Sequence, residues 1–143
     1  MVDSRKLRIP ASSVNKVPKT NKANPQNFVT NHLYPRFKGN TATQHGKMSE
    51  SVARENFEKK FDIHVQKCST CTFINKDEPF LSASPDGIID HDMLLEIKCP
   101  LKLIDELLAK KSYAINKSCR NDYFTQIQMQ LHFTRRSLCK YFT

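Results

Sequence analysis

The sequence predicts an α/β (α+β) fold in which a central mixed β-sheet is flanked by helices. Three observations support this class: a segment with helical periodicity at 44–61, short β-like runs between 62 and 99, and a second helical segment at 123–134 before a last strand at 137–142. Helices and strands in such an order pack as helices on a sheet. A chain of 143 residues is long enough for one domain with a modest core.

The N-terminal part is predicted to be loop with short helices. Segment 10–27 is rich in Pro, Asn, Lys and Ser, which are typical of turns, and Ser12 or Ser13 can begin a short helix within it. A second short helix is predicted over 27–35. We find no internal repeat and no low-complexity tract, so these segments are expected to lead directly into the first long helix.

The helix predicted over 44–61 carries a carboxylate on its apolar face. At ~100° per residue, one face collects Gly46, Glu50, Ala53, Phe57 and Phe61. An unpaired carboxylate among apolar groups is costly, so Glu50 needs a cation, a metal ion or a hydrogen-bond donor. The alternative is a rotated helix in which Glu50 is solvated.

The strand predicted over 93–99 has the clearest alternation in the chain. Shorter β-like runs precede it, at 62–68, 70–74 and 80–84, and a Pro-Asp-Gly turn leads into the strand end 88–90. Period two separates two faces, with Met93, Leu95, Ile97 and Cys99 on one and Leu94, Glu96 and Lys98 on the other. Pro100 ends the strand.

Two helices are predicted after this strand. The first covers 101–111 and has leucines at helical spacing. The second covers 123–134 and places Tyr123, Gln126 and Gln130 on one polar face that requires hydrogen-bond partners. Gln128 and Gln130 are interpreted as scaffold or solvated side chains.

Three carboxylates and one lysine are expected to meet where the strand packs on the first helix. Asp86 stands in the turn, Glu96 and Lys98 project from one face of the strand, and Glu50 comes from the helix. Carboxylate oxygens suit Mg²⁺ or Mn²⁺, which also keep water and substrate phosphate as ligands. Such a site can hydrolyse a phosphodiester, with Lys98 holding the attacking water or stabilising developing charge. The alternative is a surface Glu–Lys pair, which contributes only ~0.2–1 kcal/mol.

The charge and the cysteines bear on partner and compartment. The chain has 23 Lys and Arg against 14 Asp and Glu, a formal net charge of +9, which favours a polyanionic partner without requiring one.

No signal peptide or run of ~18 apolar residues is recognisable, so no membrane association is expected. The odd number of cysteines, 5, predicts reduced thiols and an intracellular location, in the nucleus or cytoplasm.

The spacing of the acidic residues and the lysine resembles that of the PD-(D/E)XK nucleases, in which a helical glutamate and a Pro-Asp turn precede a Glu-x-Lys strand. Within that superfamily the sequence is similar to the YqaJ-type viral recombinase family. This family includes the phage lambda-type exonuclease, which digests one strand of linear duplex DNA from its 5′ end. Four segments carry the resemblance: GKMSESVARENF (46–57), SPDG (84–87), EIKCP (96–100) and YFTQIQ (123–128).

The resemblance implies a restriction-endonuclease-like core and a role for each matching residue. Asp86 and Glu96 would be the metal-binding carboxylates, with the carbonyl of Ile97 completing the shell, and Lys98 would be the catalytic lysine. Glu50 would bind or orient a second metal ion or the nucleophilic water. Gln126 would support the site through Lys98 or the water, and Tyr123 is a supporting residue on the same helix face.

The N-terminal segment RKLRIPAS (5–12) is similar to a family segment that binds the terminal 5′-phosphate. The resemblance assigns this phosphate to Arg5, Ser12 and Ser84, and the planar fork of arginine suits it. Pro10 departs from the family, which usually has threonine there, and a flexible basic N-terminus is the alternative. Lambda-type members extend further at both ends, so residues 1–143 are expected to form a single nuclease domain that is either minimal or truncated.

The function implied is a Mg²⁺-dependent exonuclease acting on ends of double-stranded DNA in recombination of a virus or mobile element. A single-strand annealing protein is the partner implied, and the oligomeric state stays open. The alternatives are an endonuclease of the same superfamily, a catalytically silent DNA-binding relic and a zinc-stabilised interaction module. The last would use the zinc-ligand spacing of Cys68 and Cys71, with further ligands from His64, Cys119, His132 and Cys139.

Overall fold

The computed structural model describes residues 6–20, 22–36, 39–68, 72–101, 115 and 122–143. Three α-helices and one 3₁₀ helix lie within these residues: the 3₁₀ helix Ala11–Lys16, α1 Pro25–Leu33, α2 Thr41–Phe61 and α3 Asp122–Thr134. The strands there are β1 Ile9–Pro10, β2 Gln66–Lys67, β3 Leu81–Ser82, β4 Gly87–Ile89, β5 Met93–Ile97 and β6 Leu138–Phe142.

The strands form a mixed sheet, as the sequence predicts. Its order is β2-β4-β5-β6, in which β4 runs antiparallel to β2 and β5, and β6 runs parallel to β5. A separate parallel pair joins β1 to β3. Strand β5 has a paired neighbour on each side, and its residues Leu94 to Ile97 are buried, so this strand is the centre of the domain.

Helix α2 packs on one face of β5. The side chain of Asn40 caps its N-terminus by accepting a hydrogen bond from the backbone N–H of Thr43, and Asp62, at φ 51°, ends it in the left-handed region. Phe57 from α2 is buried in a cluster with Leu95 and Ile97. The predicted face is confirmed at Phe57, whereas Phe61, at the end of the helix, is 42% exposed.

Helix α3 lies against the other face of β5. Leu94 is buried with Cys68 and Ile88, and Leu131 of α3 packs against that cluster. Met129 of α3 contacts a second cluster that includes Ala11, so the 3₁₀ helix is held beside α3. The sheet is therefore covered by α2 on one face and by α3 on the other, and both helices reach the C-terminal end of β5.

The predicted strands before β4 are shorter in the structure than in the prediction. The run 62–68 is a strand only at Gln66–Lys67, and the run 80–84 only at Leu81–Ser82. Phe73 in the run 70–74 forms an isolated bridge with Ala83, and residues 70 and 71 of that run lie outside the described residues. The run 62–68 forms a short strand because its partner β4 has 3 residues and ends at Ile89, before Asp90 at φ 53°. An edge strand can pair only along its neighbour's length. The helix predicted over 101–111 falls, beyond Leu101, outside the described residues.

Within the described part of the chain, no helix is both long enough and apolar enough to cross a membrane.

Candidate active site

A cavity of about 660 Å³ lies at the end of β5, between α2, α3 and the 3₁₀ helix. Each of these elements contributes predicted site residues to its lining, which includes Ser12, Glu50, Asp86, Ile97, Lys98, Tyr123 and Gln126. Glu96 is buried directly behind this lining, with 1% of its surface exposed. The fold thus brings together residues that are separated by most of the chain.

Glu96 is a buried carboxylate with several hydrogen-bond donors. Oε1 accepts hydrogen bonds from Nζ of Lys98 and from Nε2 of Gln126, the latter at 2.6 Å. Oε2 accepts one from Nε2 of Gln130 at 2.8 Å. Buried carboxylates require such donors because desolvation otherwise penalises the charged form. These contacts explain how the chain accommodates an acidic residue on its central strand.

Asp86 is held at the start of β4 by the backbone of β5. Its Oδ2 accepts a hydrogen bond from the backbone N–H of Ile97 at 2.7 Å. Burial, followed by the nearby negative charge of Glu96, raises the pKa of Asp86 to about 7, and Glu50 adds to this effect. The shift indicates that three carboxylates lie close enough to repel one another, which is the electrostatic condition of a cation site.

Glu50 approaches the cavity from α2, on the face of the sheet opposite to α3. Its Oε1 accepts a hydrogen bond from Nη2 of Arg54 at 2.7 Å, and the Arg54 side chain is buried. Arg54 is therefore the cation that an acidic residue on this helix face requires. The sequence carried the signal, since a spacing of four residues on a helix brings side chains together.

Lys98 projects toward the cavity from the residue after β5. Its ammonium group pairs with Glu96 and lies 5.4 Å from the centre of the Tyr123 ring. Attraction to the ring face adds to the ion pair and restricts the position of the ammonium group. Glu96, Lys98 and Tyr123 therefore form one connected group at the end of β5 and the start of α3.

The residues assigned to the 5′-phosphate are only partly described. Ser12 lines the main cavity, and Ser84 lines a neighbouring cavity of about 240 Å³ together with Glu50 and Asp86. Arg5 lies outside the described residues. The structure thus places both serines beside the acidic cluster, and their role in binding phosphate stays a prediction.

Comparison with known proteins agrees with this arrangement. The family model of the YqaJ-like viral recombinase domain matches residues 2–137. The chain belongs to this family. No curated protein matches the sequence.

Solved structures of exonucleases are similar to this YqaJ-like chain. An alkaline exonuclease (LHK-Exo) from Laribacter hongkongensis has 26% sequence identity and a TM-score of 0.74, over 96% of this chain and 70% of that one. The same enzyme in complex with dAMP has a TM-score of 0.75 at the same identity and coverage. A phage related exonuclease from Haemophilus somnus 129PT has 19% identity and a TM-score of 0.69, over 95% and 67% of the two chains, and supports the fold alone.

The donor set of the YqaJ-like chain fits a hard cation through few protein ligands. No group of three or more His, Cys, Asp or Glu side chains with metal-binding geometry is found among the described residues. Arg54 pairs with Glu50, and Lys98 pairs with Glu96. Burial, followed by the negative charge of Glu96, raises the pKa of Asp86 to about 7, so a cation bound at this cluster would favour its ionised form. Mg²⁺ requires only one or two carboxylates, because water and phosphate oxygens complete its shell.

Two further residues contribute to the site without having been assigned to it from the sequence. Arg54 pairs with Glu50, and Gln130 is 0% exposed and donates to Glu96, so it is not a solvated side chain. The signal for Gln130 was its place one turn after Gln126 on a polar helix face.

The zinc alternative gains no support from its described members. Cys68 is buried in an apolar cluster with Leu94, with Cys139 packed against it, and His64 pairs with Glu58. Cys71 and Cys119 lie outside the described residues.

Proposed function

We propose that this protein is a Mg²⁺-dependent deoxyribonuclease, with Mn²⁺ as a substitute, that digests linear double-stranded DNA from its ends in the 5′-to-3′ direction. The observation that carries the proposal is the meeting of Asp86, Glu96 and Lys98 at one cavity in a chain of the YqaJ-like family. The exonuclease names of the similar structures support end-directed hydrolysis over internal cleavage.

The carboxylates are the residues that would hold the ion. Asp86 and Glu96, with the backbone carbonyl of Ile97, are assigned to one ion, and Glu50 to a second ion or to the nucleophilic water. When bound, the ion supplies positive charge beside the reacting phosphate and lowers the pKa of a water ligand. The lining of one cavity by Asp86, Glu50 and Ile97 supports this assignment, as does the effect of the charges of Glu96 and Glu50, which add to burial in raising the pKa of Asp86.

Lys98 is the catalytic residue that the chain itself supplies. Its ammonium group can donate to the attacking water or to a phosphate oxygen on which charge develops. Gln126 is proposed as a positioning residue, because it donates to the same Glu96 oxygen as Lys98 and so limits the movement of that oxygen. Tyr123 restricts the ammonium group from the α3 side.

Arg5, Ser12 and Ser84 are proposed to bind the terminal 5′-phosphate of the DNA. Serine hydroxyls and arginine are common ligands of phosphate, and the two serines border cavities that include Glu50 and Asp86. Exposed Lys16 and Lys47 also line the main cavity and can contact the DNA backbone without reading its sequence.

The biological setting follows from the family alone. We propose that residues 1–143 act as one nuclease domain in recombination of a virus or mobile element, inside the host cell, alongside a single-strand annealing protein. A pull-down of the two proteins from cells that express both would test this partnership.

The decisive experiment uses linear duplex DNA with and without a 5′-phosphate, and a closed circular duplex as control. The wild-type protein should degrade only linear DNA, in Mg²⁺ and not in Ca²⁺, and Lys98→Ala should abolish this activity. A preference for the 5′-phosphorylated end would support the roles of Arg5, Ser12 and Ser84. Nicking of the circle would replace the proposal by an endonuclease, and binding without cleavage would replace it by a DNA-binding relic.

A further inference from the structure

Gln130 lies on α3 beyond the segments that carry the family resemblance, one helical turn after Gln126. Its side chain is completely buried, although glutamine is rarely buried without a polar partner. The partner here is Glu96, whose Oε2 accepts a hydrogen bond from Nε2 of Gln130 at 2.8 Å. The amide nitrogen of Gln130 faces the carboxylate, because the amide oxygen in that position would repel Oε2 of Glu96.

The hydrogen bonds to the Glu96 carboxylate can be counted against the number of bonds that its two oxygens can accept. A carboxylate has about four acceptor positions, two on each oxygen. Lys98 and Gln126 use both positions of Oε1, and Gln130 uses one position of Oε2. Among the contacts that the described residues make, one position on Oε2 therefore stays available for an ion, and the bond from Gln130 restricts how that oxygen can turn.

Gln130 also connects Glu96 with the segment that carries Asp86. Its Nε2 has two hydrogens, and a second, longer hydrogen bond reaches the backbone carbonyl of Ser84 at 3.4 Å. Ser84 precedes Asp86 by two residues. One amide group thus contacts both the carboxylate of β5 and the backbone that leads to the other carboxylate.

We propose that Gln130 is a positioning residue that sets the affinity of this site for its divalent ion, by fixing the rotation of Glu96 and its separation from Asp86. This inference rests on the proposed function, because it requires an ion at Glu96. Donors that orient metal-binding carboxylates typically change metal affinity or activity by about 10- to 100-fold when they are removed. Gln130 does not touch substrate, so the expected defect is in ion binding.

The test compares Gln130→Met, which keeps the length of the side chain and removes its donor, with Gln128→Met, an exposed position on the same helix. Binding of Mn²⁺ without DNA is measured by calorimetry, and thermal unfolding shows that each variant is folded. We expect Gln130→Met to bind Mn²⁺ at least about 10-fold more weakly than wild type. It should also need a correspondingly higher Mg²⁺ concentration for half-maximal DNA cleavage, and its rate should recover at saturating Mg²⁺. Gln128→Met should match wild type in both.

Several outcomes separate this inference from the proposed nuclease activity. Unchanged Mn²⁺ affinity in Gln130→Met, or a cleavage rate that stays low at every Mg²⁺ concentration, overturns the role of Gln130 while the nuclease stands. A wild-type protein that binds Mn²⁺ but cleaves no DNA overturns the nuclease while the role of Gln130 stands. Failure of wild type to bind Mn²⁺ overturns both.

A measurement on the wild-type protein covers the case in which Gln130→Met does not fold. The side-chain amide signals of Gln130 and Gln128 are followed by NMR while Mg²⁺ is added. We expect the signals of Gln130 to shift, because its hydrogen bond ends on the oxygen that the ion uses, and those of Gln128 to stay unchanged. Unchanged Gln130 signals at saturating Mg²⁺ contradict the inference.

Discussion

Each carboxylate beside the cavity has a different kind of neighbour. Glu96 accepts from Lys98 and from two glutamine amides, and Glu50 accepts from the Arg54 guanidinium. Asp86 accepts from a backbone N–H, which does not outweigh its burial and the charge of Glu96, and its pKa therefore rises to about 7. Glu50 and Glu96 each have a cationic partner, whereas Asp86 has a hydrogen bond from the backbone.

The pKa of Asp86 predicts how pH affects stability without divalent ions. Its folded value of about 7 exceeds the unfolded value of 3.8, so its stabilising contribution is complete below the unfolded pKa and is lost as the pH rises through about 7. Asp86→Asn removes this dependence. In EDTA, urea unfolding should therefore show Asp86→Asn gaining stability relative to wild type between pH 5 and pH 8.

Asp92 provides the matched control for this pH experiment. Hydrogen bonds from Ser137 lower its pKa, so it is ionised in the folded and unfolded states throughout that pH range. The difference in unfolding free energy between Asp92→Asn and wild type should stay nearly constant from pH 5 to pH 8. An equally constant difference for Asp86→Asn would contradict the raised pKa.

Because Glu50 and Arg54 form an ion pair, substitutions of the two residues should have non-additive effects on the free energy of unfolding. Arg54→Met removes the partner of a carboxylate that is itself 38% exposed, so water compensates in part and the expected cost is about 1–2 kcal/mol. In a Glu50→Gln background the same substitution should cost less. Chemical denaturation of the four proteins in this cycle gives the coupling energy, and additive effects would show that the pair contributes nothing.

Among the elements, β4 begins at Gly87, which lies between Val65, just before β2, and Leu95 of β5. A side chain at Gly87 would collide with Cγ1 of Val65, and its Cβ would lie 3.5 Å from Cβ of Leu95. Both neighbours are buried, so neither can move into solvent. A glycine is therefore required immediately after Asp86 if the short strand β4 is to pair on both sides.

Gly87→Ala is predicted to destabilise the protein through this collision. Overpacking of a buried position costs about 1–3 kcal/mol, and removing the Val65 methyl groups opens the space that the new methyl group needs. We expect Val65→Ala to be less harmful in the Gly87→Ala background than in wild type, as measured by thermal unfolding. Equal effects of Val65→Ala in the two backgrounds would show that the strain lies elsewhere.

Over the whole molecule the net charge is +9, and two of the lysines that contribute to it line the cavity. Lys16 and Lys47 line the cavity from the 3₁₀ helix and from α2, whereas Lys59 is an exposed residue in the last turn of α2. If DNA enters here, the cations that matter are those of the cavity and not the total charge.

Replacing Lys16 or Lys47 by alanine should weaken DNA binding in Ca²⁺ and reduce the slope of log affinity against log salt by about 1 for each lysine. The physical reason is that each lost phosphate contact leaves one more counterion on the DNA. Fluorescence anisotropy over a range of salt concentrations gives the slopes. Lys59→Ala serves as the control with the same charge change, and an equal effect there would mean that DNA binding is not directed to the cavity.

Much of the fold and of the site could be predicted because it depends on short stretches of chain. The period of two along β5, continued to the residue after it, puts Glu96 and Lys98 on one face, and helical periodicity places Phe57 toward the sheet. The mixed sheet followed from the order of these elements. The length of the strand in the run 62–68 was overestimated, because it is limited by its partner β4 rather than by its own residues.

The class of fold, the family and the positions of the acidic residues and their lysine could all be inferred from spacing along the chain. Which groups satisfy the charges depends on tertiary contacts. Gln130 meets Glu96 across 34 residues of sequence, and Ile97 meets Asp86 across 11. These contacts depend on how α3 is rotated on the sheet and where the Asp86 turn meets β5, and such positions are set by packing of the whole core rather than by any local period.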